Sequence, residues 1–178
     1  MFNAYREKTL AVQGTVVTGT DSVDLNGWVD TVDDTGYALV MPAGGGGFLT
    51  VWGATEISAR DYSGTTPPLP RPQDDWTTTG LNAQDSALAA AQLLLIGLSA
   101  DRPENPQLLL QGGATWLRAD EVDGQPVDVM TGPLPQGSTE SNLRYWVDES
   151  GTLLRLEARL DGRDWSTFDF AAASDIAF

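Results

Sequence analysis

Short runs in which apolar and polar residues alternate dominate the chain. Gly14 to Gly19 (GTVVTG), Leu25 to Val32 (LNGWVDTV), Gly36 to Met41 (GYALVM) and Phe48 to Ala59 (FLTVWGATEISA) are rich in Val, Thr, Trp and Tyr. Clusters of Asp, Gly and Pro separate them. Residues of this kind suit a pleated, half-buried surface, so the runs predict the strands of an antiparallel meander. A second, longer group comprises Gln107 to Gln111, Ala114 to Glu121, Gln125 to Thr131, Leu143 to Asp148, Thr152 to Leu160 and Trp165 to Ala171. Asp123-Gly124, Glu149-Ser150-Gly151 and Asp161-Gly162 supply its hairpin turns. Here the period of two assigns faces: Leu154, Leu156, Ala158 and Leu160 fall on one side, Arg155, Glu157 and Arg159 on the other, and Phe168 and Phe170 oppose Thr167 and Asp169. One wet face is expected.

Between the two groups the period changes. Ala83 to Leu98 predicts a helix, with Asn82 placed to accept from the first-turn amides, Asp85 as a capping-box carboxylate and Leu81 as a hydrophobic staple. Beyond Ala87 the segment is apolar around nearly its whole circumference (ALAAAQLLLIGL), which requires burial on more than one side. Asp101-Arg102-Pro103 stops it. Thr65 to Gly80, with Pro67, Pro68, Pro70 and Pro72, reads as a surface loop joining two strand groups, and residues 1–12 read as an N-terminal helical segment. The whole is mainly β with one principal helix (α+β). A single domain over residues 1–178 is expected, a strongly curved antiparallel half-barrel of about nine to eleven strands wrapped around the helix.

Composition removes most chemistry from this frame. The 178 residues contain no Cys and no His, so disulfides, thiolate metal sites, imidazole bases and the Ser-His-Asp triad are excluded, and Lys8 is the single lysine. Twenty-five acidic against ten basic residues give a formal charge of -15, which repels nucleic acid. Ser22, Asp24, Asn26, Gly27 and Asp33 imitate a calcium loop but lack its first Asp and its final Glu, and Gly44 to Gly47 lacks the Lys-Ser/Thr of a phosphate cradle. Asp120, Glu121 and Asp123 read as a solvated hairpin tip. No sequence feature pairs two carboxylates for glycoside hydrolysis. No enzyme, no cofactor and no metal is expected.

Asn26-Gly27-Trp28-Val29-Asp30 followed by Gly36-Tyr37-Ala38, the segment Ala119 to Gly132 (ADEVDGQPVDVMTG), and Leu143 to Leu160 (LRYWVDESGTLLRLEARL) resemble actinobacterial extracytoplasmic proteins of the LolA-like and LppX/LprG-like lipoprotein group. The resemblance implies a half-open antiparallel barrel around an apolar cavity that carries a lipid or other hydrophobic ligand. It also implies an extracytoplasmic location and a membrane anchor on a segment absent from this chain, because the lipoprotein Cys has no counterpart here. Trp28, Tyr37, Leu39, Trp52, Val129 and Tyr145, with the helix residues Leu88, Leu95 and Ile96, are the candidate ligand-binding residues. Two readings of them stay open. Either they line a cavity and the chain is a carrier of a lipid or apolar small molecule, or they pack into a filled core and the chain is a sensory or scaffolding ectodomain that binds a membrane or envelope protein.

Overall fold

The computed structural model describes residues 8–98, 115–135, 137–160, 162, 164–173 and 176–178. Eleven strands and one helix follow in the order β1 (Thr9–Thr18), β2 (Asp21–Asp30), β3 (Thr35–Pro42), β4 (Phe48–Trp52), β5 (Glu56–Asp61), β6 (Thr77–Gly80), α1 (Ala87–Gly97), β7 (Trp116–Val122), β8 (Gln125–Thr131), β9 (Leu143–Val147), β10 (Leu153–Ala158) and β11 (Ser166–Ala172). All strands belong to one antiparallel sheet in the order β6-β5-β4-β3-β2-β1-β11-β10-β9-β8-β7. It is an open, curved half-barrel, with β6 and β7 as its two free edges. Every neighbour is a hairpin partner except one pair: β1 lies against β11, from Leu10 opposite Ala172 to Thr15 opposite Thr167.

That central pairing overturns the N-terminal helical segment for residues 9–12. Leu10, Val12 and Val16 are buried on one side of a strand paired along both edges, and two ladders of backbone hydrogen bonds outweigh a local helical pattern. Residues 1–7 lie outside the described residues, as does the Gln107 to Gln111 run. The run expected as one strand from Phe48 to Ala59 is two strands folded at Gly53, whose N–H donates to the Glu56 carbonyl. The loop expected from 65 to 80 stops earlier, because Thr77–Gly80 pairs with β5 as an edge strand.

The helix begins four residues later than its sequence signals indicated. Ser86 holds an extended conformation and its side chain accepts from the Ala89 N–H at 3.0 Å, which makes it the N-cap. Asn82 caps a preceding turn instead, accepting from Gln84 N–H at 2.9 Å. The helix packs across β1, β2 and β3. Ala89, Ala91, Gln92, Leu95 and Ile96 face the sheet in full burial, while Ala87, Leu88, Leu93, Leu94 and Leu98 are partly buried against the same cluster.

One contact sets how closely the helix approaches. The Trp52 indole N–H donates to the Gln92 carbonyl at 2.8 Å, and the ring lies flat over Gly36, its cross-strand partner. A methyl group on Gly36 would stand inside that ring. Gly36→Ala should therefore cost about 1–3 kcal/mol in urea unfolding through overpacking. Gly44→Ala, at a position open to solvent, should leave the midpoint unchanged.

Candidate functional site

Directly opposed residues of an antiparallel ladder share a face. The row Leu10, Val29, Gly36, Trp52 and Ile57 therefore lies on the side that carries α1. The row Leu25, Gly14, Phe168, Leu156, Tyr145 and Met130 continues that inner face toward β8. Among the described residues, the inner-face positions of β1, β3, β4, β9, β10 and β11 carry no charged side chain. The one polar group that α1 offers is spent internally, since Gln92 Nε2 donates to Thr50 Oγ1 at 3.3 Å and both residues are buried.

The candidate residues divide between the two faces. Trp52, Leu88, Leu95, Ile96 and Tyr145 gather on the inner face in one cluster with Val12, Val16, Leu156 and Phe168. Trp28, Tyr37 and Leu39 do not join them. They form a second cluster on the outer face with Leu49, Met41, Val51, Tyr62, Trp76 and Phe178. The residues after β5 and the chain end cover that outer cluster: Tyr37 Oη donates to the Pro68 carbonyl at 2.9 Å, and the Phe178 ring lies 6.0 Å from that of Tyr37 and 6.5 Å from that of Trp28. Val129 is also on the outer face, in a third cluster with Val122, Val127 and Trp146.

A bulge explains one error of face. Leu153 opposes Val147, but Arg155 opposes Trp146, so the ladder slips between them. Leu153 then stays with Leu156 in the inner cluster while Leu154 packs outside against Trp146. The expected wet face is accordingly covered in part. Its polar remainder is a ladder of pairs, with Arg155 gripping Asp169 through Nε and Nη2 and Arg144 Nη1 3.3 Å from Glu157 Oε2. The guanidinium carbons of Arg144 and Arg159 lie 4.0 and 4.5 Å from the Trp165 ring centroid. The Trp146 indole donates to Asp120 Oδ2 at 3.0 Å, and this bond, with the Glu121 amide and Arg118, holds the Asp120 carboxyl below its usual range.

The inner-face positions of β1, β3, β4, β9, β10 and β11 form apolar surface shielded from water by the helix. Toward β9 it loosens: Leu143 and Tyr145 are only half-buried there, as is Met130. Met130 and Leu143 were missed in the sequence because a short apolar residue at a strand end gives no periodic signal of its own.

No protein-family model and no curated protein matches the chain. Among solved structures it is similar to the Mycobacterium tuberculosis lipoprotein LppX, at 16% identity over 97% of this chain and 90% of that one, with a TM-score of 0.53. That likeness shows the fold. A domain assigned as an outer membrane lipoprotein-sorting protein from Vibrio parahaemolyticus aligns at 11% identity over 92% and 83% of the two chains, with a TM-score of 0.25, and carries no argument.

Two outcomes follow for these clusters. Leu95, 1% exposed, should lose about 2–5 kcal/mol on truncation to Ala, whereas half-buried Leu88 should lose clearly less when unfolding is followed by denaturant. Burial, with the neighbouring Tyr62 adding, pushes the Tyr37 phenol up from 10.0 to about 12. The unfolded chain releases that proton first, so stability should fall as pH rises from 10 toward 12. Absorbance at high pH should show a late-titrating tyrosine component that is lost in Tyr37→Phe.

Proposed function

We propose that this chain is a non-catalytic, extracytoplasmic binding domain that holds a lipid or another apolar molecule between the inner face of the sheet and α1. The observation that carries this reading is the apolar inner surface of β1, β3, β4 and β9 to β11, which continues past the helix onto half-buried Leu143 and Tyr145, with Asp21, Asp61 and Asp128 only at the margins of that face on β2, β5 and β8. The fold shared with a lipoprotein agrees with it. Each ligand methylene buried there would contribute about 0.8 kcal/mol, and no covalent step is needed. Leu88, Leu95, Ile96, Trp52 and Tyr145 are the residues we assign to this site. Trp28, Tyr37, Leu39 and Val129 support the sheet from its other side.

One observation favours a second reading. Val16, Leu25, Leu156 and Phe168 are fully buried in the cluster that α1 joins, so this part of the inner face is already filled by side chains. A sensory or scaffolding ectodomain that binds another protein needs no more than that. Among the described residues, no helix is long and apolar enough to cross a membrane.

Titration with a fluorescent fatty-chain probe separates the two readings. The carrier should give saturable uptake with quenching of tryptophan emission, and Tyr145→Ser should weaken it several-fold with an unchanged circular dichroism spectrum. Absence of uptake would leave the protein-binding reading in place.

A further inference from the structure

Five large apolar side chains are exposed among the described residues: Val32, Leu69, Trp116, Leu117 and Leu134. Three of them belong to one corner of the sheet. Trp116 and Leu117 open the free-edge strand β7, and Leu134 follows β8 in the connection to β9. Their exposures of 58%, 42% and 50% are those of side chains standing in water rather than resting on a core.

Local structure holds this corner outward. The ladder slips between Trp116, opposite Met130, and Arg118, opposite Val129, so Leu117 is the extra residue of a bulge. The Trp116 indole N–H donates to Asp128 Oδ1 at 2.8 Å, which orients the ring while leaving it in solvent. Leu134 sits between Pro133 and Pro135, and Ser141 Oγ donates to the Pro133 carbonyl at 3.1 Å, which stiffens the tip beneath it.

Charge is spread unevenly over the connections at the two ends of the sheet. The turns at the far end carry Asp33 and Asp34, Asp123, and Asp148 and Glu149. At the near end, the turn after β1 and the Gly44 to Gly47 turn are uncharged and residues 129–139 contain no ionisable side chain, whereas the β5–β6 connection carries Arg71, Asp74 and Asp75 and the β10–β11 turn carries Arg159 and Asp164. The flanking carboxylates are engaged, Asp128 by Trp116 and Glu140 by Arg159 Nη1 at 3.2 Å. In a chain of charge -15, residues 129–139 are a stretch beside the rim with no charge to desolvate. A protruding apolar rim whose tryptophan is bonded at its indole N–H to the Asp128 carboxylate, beside an uncharged stretch over residues 129–139, suits the polar–apolar boundary of a lipid layer.

We infer that the rim formed by Trp116, Leu117 and Leu134 docks on the surface of a phospholipid bilayer. The inner face opens toward the same strands, since Met130 is the cross-strand partner of Trp116 and of Tyr145. A rim seated on lipid would place the half-buried end of that face beside the bilayer. The inference rests on the exposed rim and not on uptake of any ligand.

The test is flotation of the protein with phosphatidylcholine vesicles, without any apolar probe, so its failure is separate from a failure of probe uptake. The wild type should float with the vesicles, and its tryptophan emission should shift to the blue. Replacing Trp116, Leu117 and Leu134 together by Ser should lower retention roughly tenfold, in line with the loss of three inserted side chains. Val32→Ser, an equally exposed position at the acidic end, should float like the wild type. Replacing a third of the lipid by phosphatidylglycerol should reduce retention through repulsion of the acidic body. Wild-type protein left in solution, equal retention of the triple variant, or a triple substitution that changes only self-association in sedimentation equilibrium would each overturn the inference.

Discussion

The position of α1 is fixed by polar contacts in an apolar setting, first the indole of Trp52 bonded to the Gln92 carbonyl over the bare backbone of Gly36. A helix without charged side chains has no ion pair to select one rotation about its axis, and its all-round apolar surface would pack in many registers. Burying one directional hydrogen bond removes that freedom, because any other register leaves a buried indole N–H without a partner at a cost of about 1–3 kcal/mol. Gln92 and Thr50 repeat the device one residue row away. From this pin follows the division of the inner face into a packed part across β1 to β3 and a looser part toward β9.

With the only described helix on one side, the outer face must be covered by other means. The solutions differ at its two ends. Around β3 and β4 an aromatic layer is roofed by the proline-bearing connection and by Phe178; around β9 to β11, arginine stems lie over tryptophan rings with their charges matched by carboxylates. Partly exposed pairs of this kind add little stability singly, but they hold side chains flat over apolar rings and so keep water from them. The arginines thereby also sequester positive charge that would otherwise offset the acidic surface.

Most strands, the tight hairpin turns and the existence of the helix were legible in the chain, because alternation and turn chemistry are local properties; the start of β1 and the edge strand β6, whose form is set by pairing, were not. Asp123-Gly124 shows the left-handed backbone that such a turn demands. Faces were harder to read. Along β3, Tyr37 and Leu39 point one way and Ala38 and Val40 the other, and all four are buried, so hydrophobicity cannot say which pair meets the helix. The bulge after Leu153 is equally silent, since one skipped pairing changes the face of Leu154 without changing composition. Ser86 was overlooked for Asn82 because both residues precede good helix formers; what decides is that the apolar stretch able to reach the sheet starts only at Ala87. The looser inner face and the exposed corner depend on where the sheet ends, which no local pattern records.

The pairing of β1 with β11 has a consequence in time. Thr15 and Thr167, neighbours across the sheet, stand 152 residues apart in the chain. Each half of the sheet is a run of hairpins that can form from nearby residues, but the seam between them closes only when the last strand has been made. Until then β1 presents a long unpaired edge bearing Val12 and Val16, the kind of edge that recruits strands from other chains. Synthesis that stalled before Ser166 would leave the centre of the sheet, rather than its rim, as the sticky surface. The step most exposed to aggregation is therefore the arrival of the final strand, and a chaperone acting on this protein would have most to shield between the completion of β10 and that moment.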